Sequence, residues 1–266
     1  MVLDNPVLWA LCATLITWAV TALGAGVVLC FRKTDEKWLN LTLGFAAGVM
    51  IAASFWSLLD PAISRANEVL TTPAWAVVTA GFLCGAVFLW ASDKAVRACR
   101  KKADKGGGDR LSRMLLLVLS ITLHNIPEGA AVGVAFGALA NDAPPEAVAG
   151  AVTLALGIAL QNFPEGAAVS LPLFREGCGR WRSFAVGQAS GMVEPVAGVV
   201  GALLVTKTTT LLPYALSFAA GAMILVAVHE LIPECQQNQR AHPYFATAGI
   251  VGGFALMMLL DVALGG

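Results

Sequence analysis

Eight stretches of this chain are each long and apolar enough to cross a lipid bilayer as an α-helix, and that property constrains the fold more than any other. A span needs roughly 20 mainly apolar residues, and inside the hydrocarbon a helix satisfies every backbone polar group within its own segment. The stretches run approximately 6 to 31, 39 to 60, 73 to 93, 113 to 140, 146 to 174, 183 to 205, 211 to 233 and 243 to 264. With 58% hydrophobic and 13% charged residues, a chain of 266 residues carries more apolar surface than a water-soluble domain can bury. The first stretch lacks a positive leader and a small-residue cleavage site, so it reads as a retained span, not a signal peptide. The expected class is an all-α integral membrane protein with eight transmembrane helices.

Lys and Arg set the orientation, because cytoplasmic loops carry their excess. Arg32, Lys33 and Lys37, eight residues from Lys94 to Arg113, then Arg175, Arg180, Arg182 and Arg240 place fifteen basic residues on one side, against Arg65 and Lys207 on the other. Both termini are therefore expected on the non-cytoplasmic side, in the plasma (inner) membrane. Net charge is zero and no basic tract adjoins stacking aromatics, which argues against nucleic acid as a partner. Six cysteines without C-x-x-C spacing read as reduced apolar fillers.

Two internal echoes organise the chain. Phe45-Ala46-Ala47-Gly48-Val49-Met50-Ile51 in span 2 recurs in span 7 as Phe218-Ala219-Ala220-Gly221-Ala222-Met223-Ile224, with six of seven positions identical. Span 2 runs outward and span 7 inward, as in the inverted-topology repeats of transporters. One offset then relates spans 1 to 3 to spans 6 to 8. The result is a single polytopic domain, residues 1–266, with inverted repeats at roughly 1–98 and 180–266, an inserted helix pair at 113–174 and a flexible cytoplasmic loop at 99–112, whose Lys101 to Arg110 core reads as a solvated linker.

The second echo carries chemistry. His124-Asn125-Ile126-Pro127-Glu128-Gly129 in span 4 returns 37 residues later in span 5 as Gln161-Asn162-Phe163-Pro164-Glu165-Gly166. Each copy sets a polar side chain one helical turn before a glutamate, and each proline frees a backbone carbonyl one turn earlier, at Leu123 and Leu160. Glu194 adds a third acid in the middle of span 6. A mid-membrane carboxylate costs at least about 2.5 kcal/mol on insertion scales, so such acids are paired, wet or functional; no Lys or Arg lies mid-span to pair with these. Acids without protein counter-ions call for protons or bound cations.

His124, Asn125, Glu128, Gln161, Asn162, Glu165 and Glu194 offer imidazole, amide and carboxylate ligands without a thiolate. That set suits Zn2+ and also accepts Cd2+, Fe2+ or Mn2+. Two divalent ions against three carboxylates leave a net charge of only +1, so a binuclear site is electrostatically reasonable. His229, Glu230 and Glu234 near the inner end of span 7 form a further group, with Asp261 late in span 8. His229-Glu230 reads as a cytoplasmic exit or an auxiliary metal position. Ser54, Ser57 and Asp60 read as an outer approach, although Asp60-Pro61 is also a natural helix end. Gly129, Gly133 and Gly137 form a strip for close helix packing.

At these residues the sequence resembles the ZIP family of metal-ion transporters over essentially its whole length. The most specific points are H-N-I-P-E-G at 124 to 129, Q-N-F-P-E-G at 161 to 166, V-E-P at 193 to 195 and H-E-L-I-P-E at 229 to 234; the run from 47 to 63 looks like the GufA-like branch. The resemblance implies eight helices arranged 3+2+3, a binuclear site built from spans 4, 5 and 6, influx of zinc or related divalent ions, an elevator-type motion and a homodimer. Some members carry a carboxylate where this chain has Asn162, which implies a weaker second metal position here. The loop between spans 3 and 4 lacks the histidines common in the family.

On this reading the chain is not an enzyme and needs no cofactor; the metal is its cargo. One alternative is an intramembrane metal-dependent hydrolase suggested by His229-Glu230, but a zincin helix needs a second histidine where this chain has Pro233. The other is a proton-coupled carrier of another solute, with the glutamates as proton relays.

Overall fold

The computed structural model describes residues 5–30, 36–105, 110–139, 143–175, 177–236 and 244–264, and no strand occurs among them. Gly106 to Asp109, the centre of the expected linker, and Arg32, Lys33 and Arg240 of the orientation argument lie outside the described residues. Seven helical segments are long and apolar enough to cross a membrane: Pro6–Cys30, Lys37–Val69, Ala74–Cys99, Pro145–Phe174, Arg180–Lys207, Leu212–Cys235 and Phe245–Leu264. The stretch expected as span 4 is also helical, as α5 (Arg110–Gly137), which continues through Pro127.

The remaining helices are α1 (Pro6–Cys30), α2 (Glu36–Ala53), α3 (Asp60–Val69), α4 (Ala74–Lys105), α6 (Pro145–Arg175), α7 (Arg180–Ser190), α8 (Val193–Lys207), α9 (Leu212–Val226), α10 (Ile232–Cys235) and α11 (Phe245–Leu264). α4 runs past the expected end of span 3 into the loop assigned as flexible. Its sequence there is mainly Ala, Arg and Lys, without the Gly run that follows, and residues of high helix propensity prolong the helix.

Three prolines shape the spans in ways that hydropathy does not reveal. α2 and α3 are joined by a π-helical segment, Ser54–Leu59, just before Pro61, and α9 and α10 by another, Ala227–Leu231, just before Pro233. Proline lacks an N–H and its ring crowds the carbonyl one turn back; a one-residue π-bulge accommodates both and lets the helix go on. The amide of Asp60 thus reaches back to Phe55 O, and that of Ile232 to Ala227 O. Asp60-Pro61 does not end a helix, since α3 continues to Val69.

At Pro195 the outcome differs. α7 and α8 are separated by Gly191 and Met192, and the Gly191 carbonyl, which Pro195 cannot serve, accepts the Glu194 amide at 3.0 Å. The span expected as one helix is therefore broken at mid-depth, with Glu194 in the first turn of α8. Backbone amide dipoles at that end favour a negative charge.

The helices lie in two groups. α1 packs along α6 and α5 along α8, while α2 packs along α11 and α4 along α9. Small residues make these approaches close. A Cβ on Gly133 would meet the Gly198 backbone, one on Gly137 the Ala202 backbone and one on Gly129 the Glu194 backbone. The glycine strip of α5 is thus the seam with α8, the packing role assigned from sequence. Between the groups lies an apolar core that includes Met50, Leu154, Ile158, Met223 and Met257.

Candidate functional site

The two P-E-G turns face each other where α5 crosses α6, and α8 closes the third side. Gln161 Nε2 donates to Glu128 Oε1 at 2.9 Å, which ties α6 to α5. Asn162 Nδ2 donates to Glu194 Oε2 at 2.8 Å and to the Thr17 carbonyl at 3.2 Å, which ties α6 to α8 and α1. Asn125 Nδ2 donates to the Ser190 carbonyl at 3.0 Å, at the end of α7. His124 Nε2 lies 2.9 Å from Glu230 Oε1 in a close approach without hydrogen-bond geometry, and so reaches across to the π segment of the other helix group.

His124, Asn125, Glu128, Gln161, Asn162 and Glu194 are all buried, between 0% and 6% exposed. Glu165 is less deeply covered as a residue, yet its Oε1 is sealed from solvent. Its charge lies within interaction range of Glu194 and Glu230, and that of Glu128 within range of Glu165 and Glu194. The structure therefore brings the seven residues into one neighbourhood. Among the described residues, no three His, Cys, Asp or Glu side chains close on a single point. Glu128 and Glu194 are held by protein donors, and the amide oxygens have to be counted among any ligands.

The balance of donors and acceptors is the main electrostatic fact. Asn125 Oδ1, Glu128 Oε2, Gln161 Oε1, Asn162 Oδ1 and Glu165 Oε1 are buried oxygens with no hydrogen-bond partner in the protein. Buried polar groups are otherwise nearly always paired, so five unpaired acceptors, with His124 Nε2 the one unpaired nitrogen beside them among the described residues, make a pocket that suits a cation.

The three acids differ in support. Glu194 accepts from Thr17 Oγ1 at 2.5 Å, from Thr21 Oγ1 at 3.4 Å and from Asn162; Glu128 accepts from Gln161 alone. The threonines escaped the sequence reading, although a signal was present: Thr14, Thr17 and Thr21 recur at helical spacing on the buried face of α1. A donor to a charged acceptor contributes about 1.5–3 kcal/mol. Thr17→Val is therefore expected to lower the unfolding temperature clearly in detergent, with Thr17→Ser close to wild type. The control Thr206→Val, which removes only an exposed hydroxyl bonded to its own helix, should change little.

Except for Glu230, the other expected residues lie apart from this neighbourhood. Ser57 Oγ donates to Asp261 Oδ1 at 2.6 Å, and both line a cavity of about 420 Å³ with Asp60, Trp56, Glu146 and Leu216. Ser54 does not join them; it is fully buried and bonded to the Met50 carbonyl. His229 is half exposed and lies 3.8 Å from Asp93 Oδ2. Glu230 belongs with His124, and Glu234 sits exposed on α10.

A family model described as ZIP Zinc transporter matches residues 108–261. Zinc transporter ZIP11 of Xenopus tropicalis is 39% identical over 334 aligned positions, covering 98% of this chain and 98% of its own. Zinc transporter GufA of Myxococcus xanthus is 37% identical over 259 positions, covering 96% and 98%. Zinc transporter ZIPB of Bordetella bronchiseptica is 39% identical over 254, covering 93% of this chain and 79% of its own. The seven apolar spans, the central polar neighbourhood and these full-length matches lead to one conclusion: the chain is a multi-pass integral membrane protein that belongs to the ZIP zinc transporter family, a family of transporters and not of enzymes.

Proposed function

We propose that this protein carries zinc, or a related divalent transition-metal ion, toward the cytoplasm through a binuclear site made by His124, Asn125, Glu128, Gln161, Asn162, Glu165 and Glu194. The observation that carries this reading is the set of five buried, unpartnered oxygens on the facing turns of α5 and α6. Relatives named as zinc transporters support zinc as the cargo. Counting α5, the spans number eight, in a 3+2+3 order.

Matched contacts support inverted repeats. The pairing that aligns Phe45 with Phe218 also aligns Thr17 with Ser190, Thr21 with Glu194 and the π segment at Ser54 with that at Ala227. Asn162 donates to the Thr17 carbonyl as Asn125 donates to that of Ser190. A Cβ on Gly166 would meet Thr21 as one on Gly129 would meet Glu194, and a Cβ on Gly85 would meet Phe218 as one on Gly253 would meet Phe45. The last match shifts the register of spans 3 and 8 by a few residues from the single offset expected, which a shorter connection between spans 7 and 8 explains. Two groups of helices meeting across an apolar core suit an elevator motion, because most of such a surface slides without breaking polar contacts. The His124 to Glu230 approach is then a contact that the motion must release. Cargo enters by the cavity at Ser57, Asp60 and Asp261, sheds water at the central ligands, and leaves past Glu230 and His229.

Metal analysis of the purified protein tests the site. Two zinc ions per chain are expected at neutral pH, and one or none in Glu165→Gln. Ligation requires deprotonated imidazole and carboxylate, so affinity is expected to fall as pH falls. Wild-type protein that holds no stoichiometric zinc at any pH would overturn the assignment.

A further inference from the structure

Asp93, on α4, has no role in the reading above. It is 7% exposed, and its two oxygens are treated differently. Oδ2 accepts Arg97 Nε at 2.6 Å and lies 3.8 Å from His229 Nε2. Oδ1 is buried and has no partner. A buried carboxylate with an idle oxygen beside an imidazole offers two ligands of the kind divalent zinc takes.

The inverted repeats give this place a counterpart. Gly85 and Gly253 occupy matching positions, each against a phenylalanine of the recurring heptapeptide, and Asp93 and Asp261 each follow eight residues later. Both aspartates sit beside a π segment, and each keeps one buried oxygen without a partner. The two mouths of the pathway are thus the same construction. They differ in what holds the other oxygen. At Asp261 it is the neutral Ser57 hydroxyl, and Arg65 of that cavity is engaged by Glu68. At Asp93 it is a guanidinium, where the position four residues beyond Asp261 is Gly265.

We propose that Arg97 is an internal counter-cation that competes with the departing divalent ion for Asp93, and so keeps the mouth at Asp93 and His229 from retaining cargo. This rests on the transport reading and its orientation. The Arg97 side chain is 60% exposed although its partner Asp93 is buried, and a long cationic side chain whose head stays at the water can swing off its partner without being desolvated. It therefore yields to an arriving ion and returns when the ion leaves. Among the described residues no cationic side chain is bonded to either oxygen of Asp261, so the mouth that faces outside captures and the mouth that faces the cytoplasm releases.

The test is zinc titration of purified full-length wild type, Arg97→Gln, Arg97→Lys and the Arg97→Gln/Asp93→Asn double variant, with zinc uptake into liposomes followed on the same preparations. Removing a unit positive charge a few ångströms from a divalent ion is expected to tighten binding at this mouth about tenfold or more. Arg97→Gln should then show one more zinc per chain in the micromolar range, and slower uptake. Arg97→Lys should stay near wild type, and the extra ion should vanish in the double variant. A gain of binding that depends on Asp93 is not a consequence of misfolding. Unchanged binding in Arg97→Gln, or a gain that survives Asp93→Asn, overturns the proposal while wild-type uptake leaves the transport reading standing. A wild type that neither binds nor passes zinc overturns both.

Discussion

Zinc uptake into liposomes by Glu128→Gln protein is expected to fall at least about a hundredfold, the equivalent of the roughly 3–5 kcal/mol lost when one partner of a buried charge pair is removed. Glutamine keeps the volume of Glu128 and can still meet Gln161, so packing of α5 on α6 survives. What disappears is one of three negative charges around the central site. Its Oε2 is also among the five buried oxygens that have no protein donor, so the amide can put an N–H where the glutamate offered a cation an oxygen. The assay is uptake at fixed external zinc, with thermal unfolding of the same preparation to confirm the fold. Uptake within a factor of a few of wild type would remove Glu128 from the ligand set.

The second large effect is structural. Gly133→Leu is expected to abolish recovery of folded protein from detergent extracts. A Cβ at Gly133 would fall on the carbonyl oxygen, carbonyl carbon and Cα of Gly198. Backbone atoms cannot rotate aside as a side chain can, so α5 and α8 have to separate, and the cost exceeds the roughly 1–3 kcal/mol typical of overpacking. Glu194 belongs to the same seam, since Gly129 packs against its backbone; the separation would therefore pull the third acid away from Asn162 and Thr17. Gly252→Ala is the control, because nothing lies within 4 Å of a Cβ there. Monodisperse Gly133→Leu protein with wild-type thermal stability would show that the seam is looser than these contacts require.

The helical membrane class, most span limits and the central polar neighbourhood were legible in the sequence because each depends on local composition. Hydropathy reports the length of α1 or α6 directly, and a glutamate in an apolar run is conspicuous wherever it folds. The break before Glu194 and the two π segments were not legible. A proline inside a span permits a kink, a bulge or a simple continuation, as at Pro127 and Pro164, and which occurs depends on the neighbouring helices. Thr17 and Thr21 were not singled out, since a threonine declares itself a donor only when its acceptor is known. Asp93 stands next to Lys94 at the expected end of span 3, where nothing in the sequence marks it as buried; the packing of α4 beside span 7 buries it.

The π segments have one more consequence. A residue of α-helix turns the chain by about a quarter of a circle, so inserting one rotates everything that follows onto a different face. Before the bulge at Ser54, the face of α2 that carries Val49 and Met50 looks into the apolar core; beyond it, Ser57 and Asp60 look into the cavity beside Asp261. The same change separates Met223 from Glu230 in span 7. Each bulge thus works as a phase shift, by which one continuous helix presents an apolar face to the core along one part and a polar face along the next.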